Sequence, residues 1–291
     1  MTTIWEKLDV VHEYTLLARH LPAFIDCFGP LHDAVRKVFA CNIRADACRS
    51  DVIIYGLGRL CLEDFAEILF LAEHGYGYAG VKLLRGLYER CVVNEAIAES
   101  PEIEGERFFN YFAVDHSKFN RRALDCSRWA PAPSGMEEWL ERVEDQYKYE
   151  PCVTCGHPPQ QAWTKHGLDS LAGKLGKSTN DPNLKELGAQ LRRLYLACAT
   201  VPNIHIHASM FSIGLRLIGS SDLLLFNEAD QLEQVTYAIS QAHGLIILAL
   251  STQNQHFKLE MEPTLERLHA DRSRAWPENH RTQQESDILE F

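Results

Sequence analysis

The sequence predicts an all-α protein, an irregular multi-helix bundle interrupted by one long loop of prolines, glycines and cysteines. Apolar residues recur three and four positions apart through most of the 291 residues, the spacing that lines one face of a helix. No stretch alternates apolar and polar residues as a half-buried strand would, and no repeat of fixed period runs along the chain.

Taken in order, Leu8, Val11, Leu16, Leu17, Leu21 and Phe24 carry helical spacing from Ile4 to Phe28. Pro22 bends or divides that segment, because its ring removes an N–H and crowds the preceding turn. A short helix starts near Pro30 and carries Val35, Val38 and Phe39. Asp46 or Ser50 then suits the N-cap of a long helix whose apolar stripe, from Val52 through Phe65 to Leu71, lasts to His74. Gly75-Tyr76-Gly77-Tyr78 punctuates the chain, and a second long helix runs from Val81 toward Ala98. Ser100-Pro101-Glu102 reads as a stop and a new start, with proline and acid in the first turn. The next helix carries Phe108, Phe109, Phe112 and Phe119, an aromatic stripe expected in the core, and ends before Pro131.

From Tyr147 to Thr164 the pattern breaks at Pro151, Gly156, Pro158 and Pro159, which is the long loop. Shorter helices come next, around Leu168 to Leu175 and from Asn183 to Ala199. Pro202 interrupts, helical spacing resumes from Ile204 to Ile218, and a final long helix spans Asn227 to Leu250. Residues 1–260 thus read as one helical domain. Residues 261–291, polar and poor in apolar anchors, read as a mobile C-terminal tail.

The net charge of −11 opposes non-specific attraction to nucleic acid or to an anionic membrane, so RNA is a disfavoured partner. No apolar run stands out at the ~20 residues a bilayer crossing needs. Acidic residues lie close to the N-terminus where a signal peptide would be apolar, so the expected compartment is the cytoplasm. Nine cysteines in a chain of that kind read as thiols, most of them small core residues, and not as a disulfide framework.

Three polar clusters are candidates for chemistry. Cys152-Val153-Thr154-Cys155-Gly156-His157, with His166 beyond it, has the C-x-x-C turn and nearby imidazoles of half a zinc knuckle, so Cys152, Cys155, His157 and His166 are candidate ligands of a structural zinc ion. The second is His205 with His207: in a helix they diverge, in an extended start they share a side. The third is Arg85 with Glu89, four apart on one helix face, with Gly86 between them to admit a neighbouring helix. If that face is partly buried, Tyr195, His205 or His207 are partners for the pair. A phosphate loop G-x-x-x-x-G-K-S/T, a G-x-S-x-G elbow, H-E-x-x-H and paired E-x-x-H motifs are all missing from the sequence.

The succession Leu84-Arg85-Gly86-Leu87-Tyr88-Glu89, Ser100-Pro101-Glu102 with Phe108 to Tyr111, Trp163-Thr164 leading to Leu171-Ala172-Leu175-Gly176, then Tyr195 and His207-Ala208-Ser209, resembles domain-of-unknown-function family 5677, a bacterial group. The resemblance spans roughly Cys61 to Leu217 and implies a helical domain with an arginine–glutamate helix and a late histidine. It implies no established activity, and the cysteine knuckle is not part of its pattern.

These features read together as a bacterial helical protein acting through partners, a protein or a second copy of itself, in a stress-response or phage-defence setting. The alternative is a HEPN-like ribonuclease or other hydrolase that uses Arg85, Glu89, His205 and His207 in one cleft. Against it, the only compact arginine-to-histidine spacing of the HEPN kind, Arg274 to His280, is broken by Pro277.

Overall fold

The computed structural model of the chain describes residues 3–40, 46–123, 135–147, 163–177, 180–207, 212–213, 216–220, 223–226 and 231–277. The fold is all-α. In chain order the helices are α1 (Ile4–Asp9), α2 (Thr15–His20), α3 (Pro22–Phe39), α4 (Arg49–Glu73), α5 (Gly77–Glu99), α6 (Pro101–Ala123), α7 (Met136–Val143), α8 (Leu168–Ala172), α9 (Pro182–Arg193), α10 (Val201–Ile206), α11 (Leu232–Phe257) and α12 (Glu262–Ala275).

Three long helices, α4, α5 and α11, pack on one another to form the centre. Small residues let them approach. A Cβ on Gly77 would stand 2.5 Å from the Gln231 carbonyl oxygen, and one on Gly80 would stand 3.2 Å from the Ala238 Cβ. Gly58 of α4 likewise gives way to Gln253 of α11, whose amide donates to the Ile54 carbonyl at 2.8 Å. By length and composition α11 is apolar enough to cross a membrane, and 78% of its most apolar window is buried inside the fold. A helix apolar on every side is what a central position requires.

The N-terminal helices are held by polar contacts. Glu73, at the end of α4, accepts from the backbone N–H groups of Thr15, Leu16 and Leu17 at 2.7–3.0 Å, so a carboxylate caps α2, whose own N-cap, Tyr14, makes no side-chain bond. Pro22 divides α2 from α3 as the sequence predicts, standing at the first turn of α3. Pro30, in contrast, starts nothing: α3 runs through it, because Phe24, Phe28, Leu31 and Val35 keep one buried face.

Other differences have physical causes. The expected tail begins with α12, whose Leu265 and Leu268 are buried against α3 and α11. Trp276 at its end donates to the His243 imidazole at 3.1 Å beside Phe24. Residues 261–277 are thus part of the helical body, and their polarity belongs to the exposed side of an amphipathic helix. The aromatic stripe of α6 is split: Phe108 packs on Trp163, while Phe112 and Phe119 are 53% and 47% exposed. Of the segment expected to be helical from Ile204 to Ile218, the described residues are helical to Ile206 and again at Ser212 and Ile213, but Leu217 and Ile218 belong to an antiparallel pair of strands, β1 (Leu217–Ser220) with β2 (Leu223–Phe226), registered Ser220 to Leu223. Gly219 and Ser220 end β1 with residue types that favour a change of direction over continued helix.

Buried polar groups sit between α5 and α11. Glu95 accepts from Thr252 Oγ1 at 2.7 Å, and burial pushes its pKa up to about 8 despite that bond. The folded chain therefore holds a proton on Glu95 between its ordinary value of 4.5 and about 8, where the unfolded chain does not. Unfolding releases it, so stability falls as pH rises through that window, by up to about 1.4 kcal/mol per unit. Glu95→Gln should flatten this decline: chemical denaturation at pH 5 and pH 8 should show the variant gaining on the parent only at the higher pH. An equal offset at both values would refute a buried, protonated Glu95.

Candidate functional site

The site is built on the outward flank of α5. That helix packs against α4, α11 and α10, and also touches α6, α8 and α9. Its remaining surface carries Tyr78, Lys82, Arg85 and Glu89 at i, i+4, i+7 and i+11, one line along the helix. The N–H of Tyr78 donates to the Gln231 side chain at 3.0 Å, which fixes the first turn of α5 against the start of α11.

Arg85 donates to Glu89 at 2.6 Å. Their side chains are 25% and 53% exposed, so this is a half-solvated i, i+4 pair worth roughly 0–1 kcal/mol and not a buried knot. Tyr195, expected as a partner, meets Tyr88 instead, with ring centroids 6.2 Å apart. Gly86 does not admit a helix. A Cβ there would stand 2.9 Å from the guanidinium of Arg90, and the missing side chain leaves room for Arg90 to reach the buried Asp64 of α4. Burial outweighs Arg90 at Asp64 and lifts its pKa to about 6.

His205 is brought to α5 by α10, and its approach depends on Pro202. From α9 the chain continues helically through a π-turn, Leu196–Thr200, into α10, so Pro202 does not interrupt as expected. The Val201 N–H reaches back five residues to the Leu196 carbonyl. The next donor in that ladder would be position 202, and proline has none. The Ala197 carbonyl is satisfied instead by the Tyr237 hydroxyl of α11 at 2.7 Å. A π-turn widens the helix by one residue and rotates the turns beyond it, and α10 then packs on α5.

There the His205 imidazole lies against Tyr78, ring centroids 4.9 Å apart, and the Arg216 guanidinium covers the Tyr78 ring at 4.1 Å. Arg216 is set by a turn in which its N–H bonds the Ile213 carbonyl, just before β1. Burial first, then Arg216 and Lys82, push the His205 pKa down to about 4, so the ring is neutral at pH 7. Its Nδ1 is buried without a hydrogen-bond partner among the described residues. Neither His205 nor Lys82 pairs with a carboxylate among the described residues.

The fold thus sets His205 beside Tyr78, within reach of the charges of Lys82 and Arg216, whereas Arg85 and Glu89 pair with each other further along α5 and are joined to His205 by no bond among the described residues. His207 stands exposed beyond the end of α10, its backbone extended, and is not joined to them by any bond among the described residues. Tyr78 had a legible signal, its i, i+4 relation to Lys82, but lay in glycine punctuation. Arg216 had none, because only the turn before the hairpin brings it near.

Cys152, Cys155 and His157 lie outside the described residues. His166 is described: its Nε2 is 2.6 Å from the Lys174 ammonium, and burial followed by Lys174 lowers its pKa. The lone pair that would face zinc points at that ammonium in this arrangement. Among the described residues no group of three or more histidine, cysteine or acidic side chains is placed to hold a metal ion.

No protein-family model, no curated protein and no solved structure matches the chain. Its function has to be read from the geometry of this flank. By NMR the His205 imidazole should titrate near pH 4, and Lys82→Ala should move that midpoint up. A midpoint at or above 6.5 in the parent protein would contradict the placement of His205 beside two cations.

Proposed function

We propose that this chain recognises a compact phosphoryl-bearing molecule on the α5–α10 flank, through Lys82, Arg85 and Arg216 with His205 among them. The observation that carries the reading is the exposed Lys82 ammonium, which has no ionic partner among the described residues, bearing on the half-buried His205 imidazole. An exposed ammonium so placed attracts an anion.

Size is decided by electrostatic range. The chain as a whole carries −11, which repels a long polyanion. At physiological ionic strength the Debye length is about 8 Å, so an anion seated among these side chains responds to them and little to distant acids. Tyr78 already has His205 and Arg216 against its ring, which leaves less aromatic surface for stacked bases than a single-strand platform uses. Both points favour a small phosphate ester over RNA.

A hydrolytic reading of the same flank is supported by one observation, the neutral state of His205 at pH 7, since a neutral imidazole is competent to take a proton from an attacking water. In that reading Arg85 stabilises phosphoryl charge. His207 is left without a role.

Calorimetric titration with pyrophosphate in low-salt buffer tests the main reading. Saturable binding is expected, weakened about tenfold or more by Lys82→Glu and weakened by added salt. No saturation with millimolar pyrophosphate would remove the proposal. Loss of nucleotide or RNA hydrolysis in His205→Ala, with pyrophosphate binding retained, would favour the hydrolytic form.

A further inference from the structure

We propose that Asn94, Glu95 and Gln253 hold internal water between α4, α5 and α11, a solvent site enclosed in the centre of the fold near the C-terminal end of α5.

Three sets of contacts bring these residues to one level. Helices α4 and α5, joined at Gly75-Tyr76, run antiparallel, with Arg90 on Asp64 and the Cys61 and Cys91 sulfurs 3.8 Å apart. One turn beyond Cys91, Asn94 therefore comes level with Leu57 and Gly58 of α4. Gln253 of α11 fills the space that Gly58 leaves: a Cβ there would stand 2.7 Å from its Nε2, and that nitrogen donates to the Ile54 carbonyl at 2.8 Å. Beside Gln253 in the chain, Thr252 donates to Glu95 Oε2 at 2.7 Å and ties α11 to α5. Asn94, Glu95 and Gln253 are all fully buried.

Their polar atoms are only partly used. Asn94 Nδ2 and Oδ1, Glu95 Oε1 and Gln253 Oε1 have no hydrogen-bond partner among the described residues. Buried amides are ordinarily bonded, as Asn254 is to Glu262 and to the Met261 N–H one turn further on. The mix of atoms selects what completes them. Asn94 offers N–H, and the three oxygens offer lone pairs. A water molecule accepts from the one and donates to two of the others, the number of bonds that buried water usually makes. A cation would face the Asn94 N–H and, with Glu95 holding its proton, would bring unbalanced charge into the core. An anion would face three oxygens, and an apolar molecule would leave every one of these atoms unbonded. Bonds through water at this level exist in one register of the three helices, so the site fixes α5 against both neighbours.

Oxygen-17 magnetic relaxation dispersion on the full chain counts long-held internal waters and is blind to exchanging side-chain protons. Asn94→Leu, similar in size and unable to bond water, should lower that count by at least one. It should also lower the melting midpoint, because Glu95 and Gln253 lose the molecule that bonds them, whereas removing a dry amide would raise it. An unchanged count, or a raised midpoint, would overturn the proposal. Should Asn94→Leu fold poorly, NMR of the parent protein decides: the Asn94 side-chain amide hydrogens must show a nuclear Overhauser effect to water with the sign of long residence, and its absence would refute the site. Exchanging sodium for potassium or choline at constant ionic strength should leave the parent midpoint unchanged. A midpoint that follows sodium or potassium would assign the site to an ion and not to water.

Discussion

The fold depends on the close approach of α5 and α11. Gly77 meets the start of α11 where no side chain fits, Gly80 lies close against Ala238, and Tyr78 is bonded through its backbone to Gln231 at the same crossing. A helix held this tightly along one side, and flanked by α4 and α10, has its rotation about its own axis fixed. Which residues of α5 look outward is then not a matter of local propensity. Tyr78, Lys82, Arg85 and Glu89 line up on the flank because Gly77, Gly80, Val81, Leu84 and Tyr88 are committed to the interior.

A second constraint decides what faces that flank. The missing N–H of Pro202 and the five-residue reach of Val201 make a π-turn, and Tyr237 supplies the bond that the backbone lacks. Without it α9 would continue as an ordinary helix, and α10 would present a different side to α5. The cost of the arrangement is a half-buried imidazole, His205, whose Nδ1 has no hydrogen-bond partner among the described residues. Burial lowers basicity and neighbouring cations lower it further, so the two helix contacts together determine the charge state of the site as well as its shape.

Helix class and most helix positions were legible because periodicity reports burial, and burial along α4, α5 and α11 is strong enough to print on the sequence. What was not legible has specific reasons. Pro30 and Pro202 both suggest breaks, yet α3 passes through the first because its buried face continues, and the chain accommodates the second by a π-turn whose compensating donor comes from a helix some forty residues later. The hairpin was hidden because Leu223-Leu224-Leu225-Phe226 lacks alternation and looks like more helix. The helix after Met261 was hidden by its charged outer face. For the site, the Arg85–Glu89 spacing was readable, and so was the presence of a late histidine. The partners of that histidine were not, since Tyr78 lay in punctuation and Arg216 is brought in by tertiary structure alone.

On a protein that is acidic overall, the α5–α10 flank is where we propose that an anion is received. Arginines are engaged with acids in the structure, as Arg36 is with Asp9, Arg90 with Asp64 and, on the flank itself, Arg85 with Glu89, whereas Lys82 has no ionic partner among the described residues. Residue-resolved NMR of the full chain during a sulfate titration tests this most directly. Saturable shifts should concentrate at Tyr78, Lys82, Arg85 and His205, with the arginine-rich end of α12 unmoved. Shifts centred on α12, or none that saturate on α5 and α10, would contradict it.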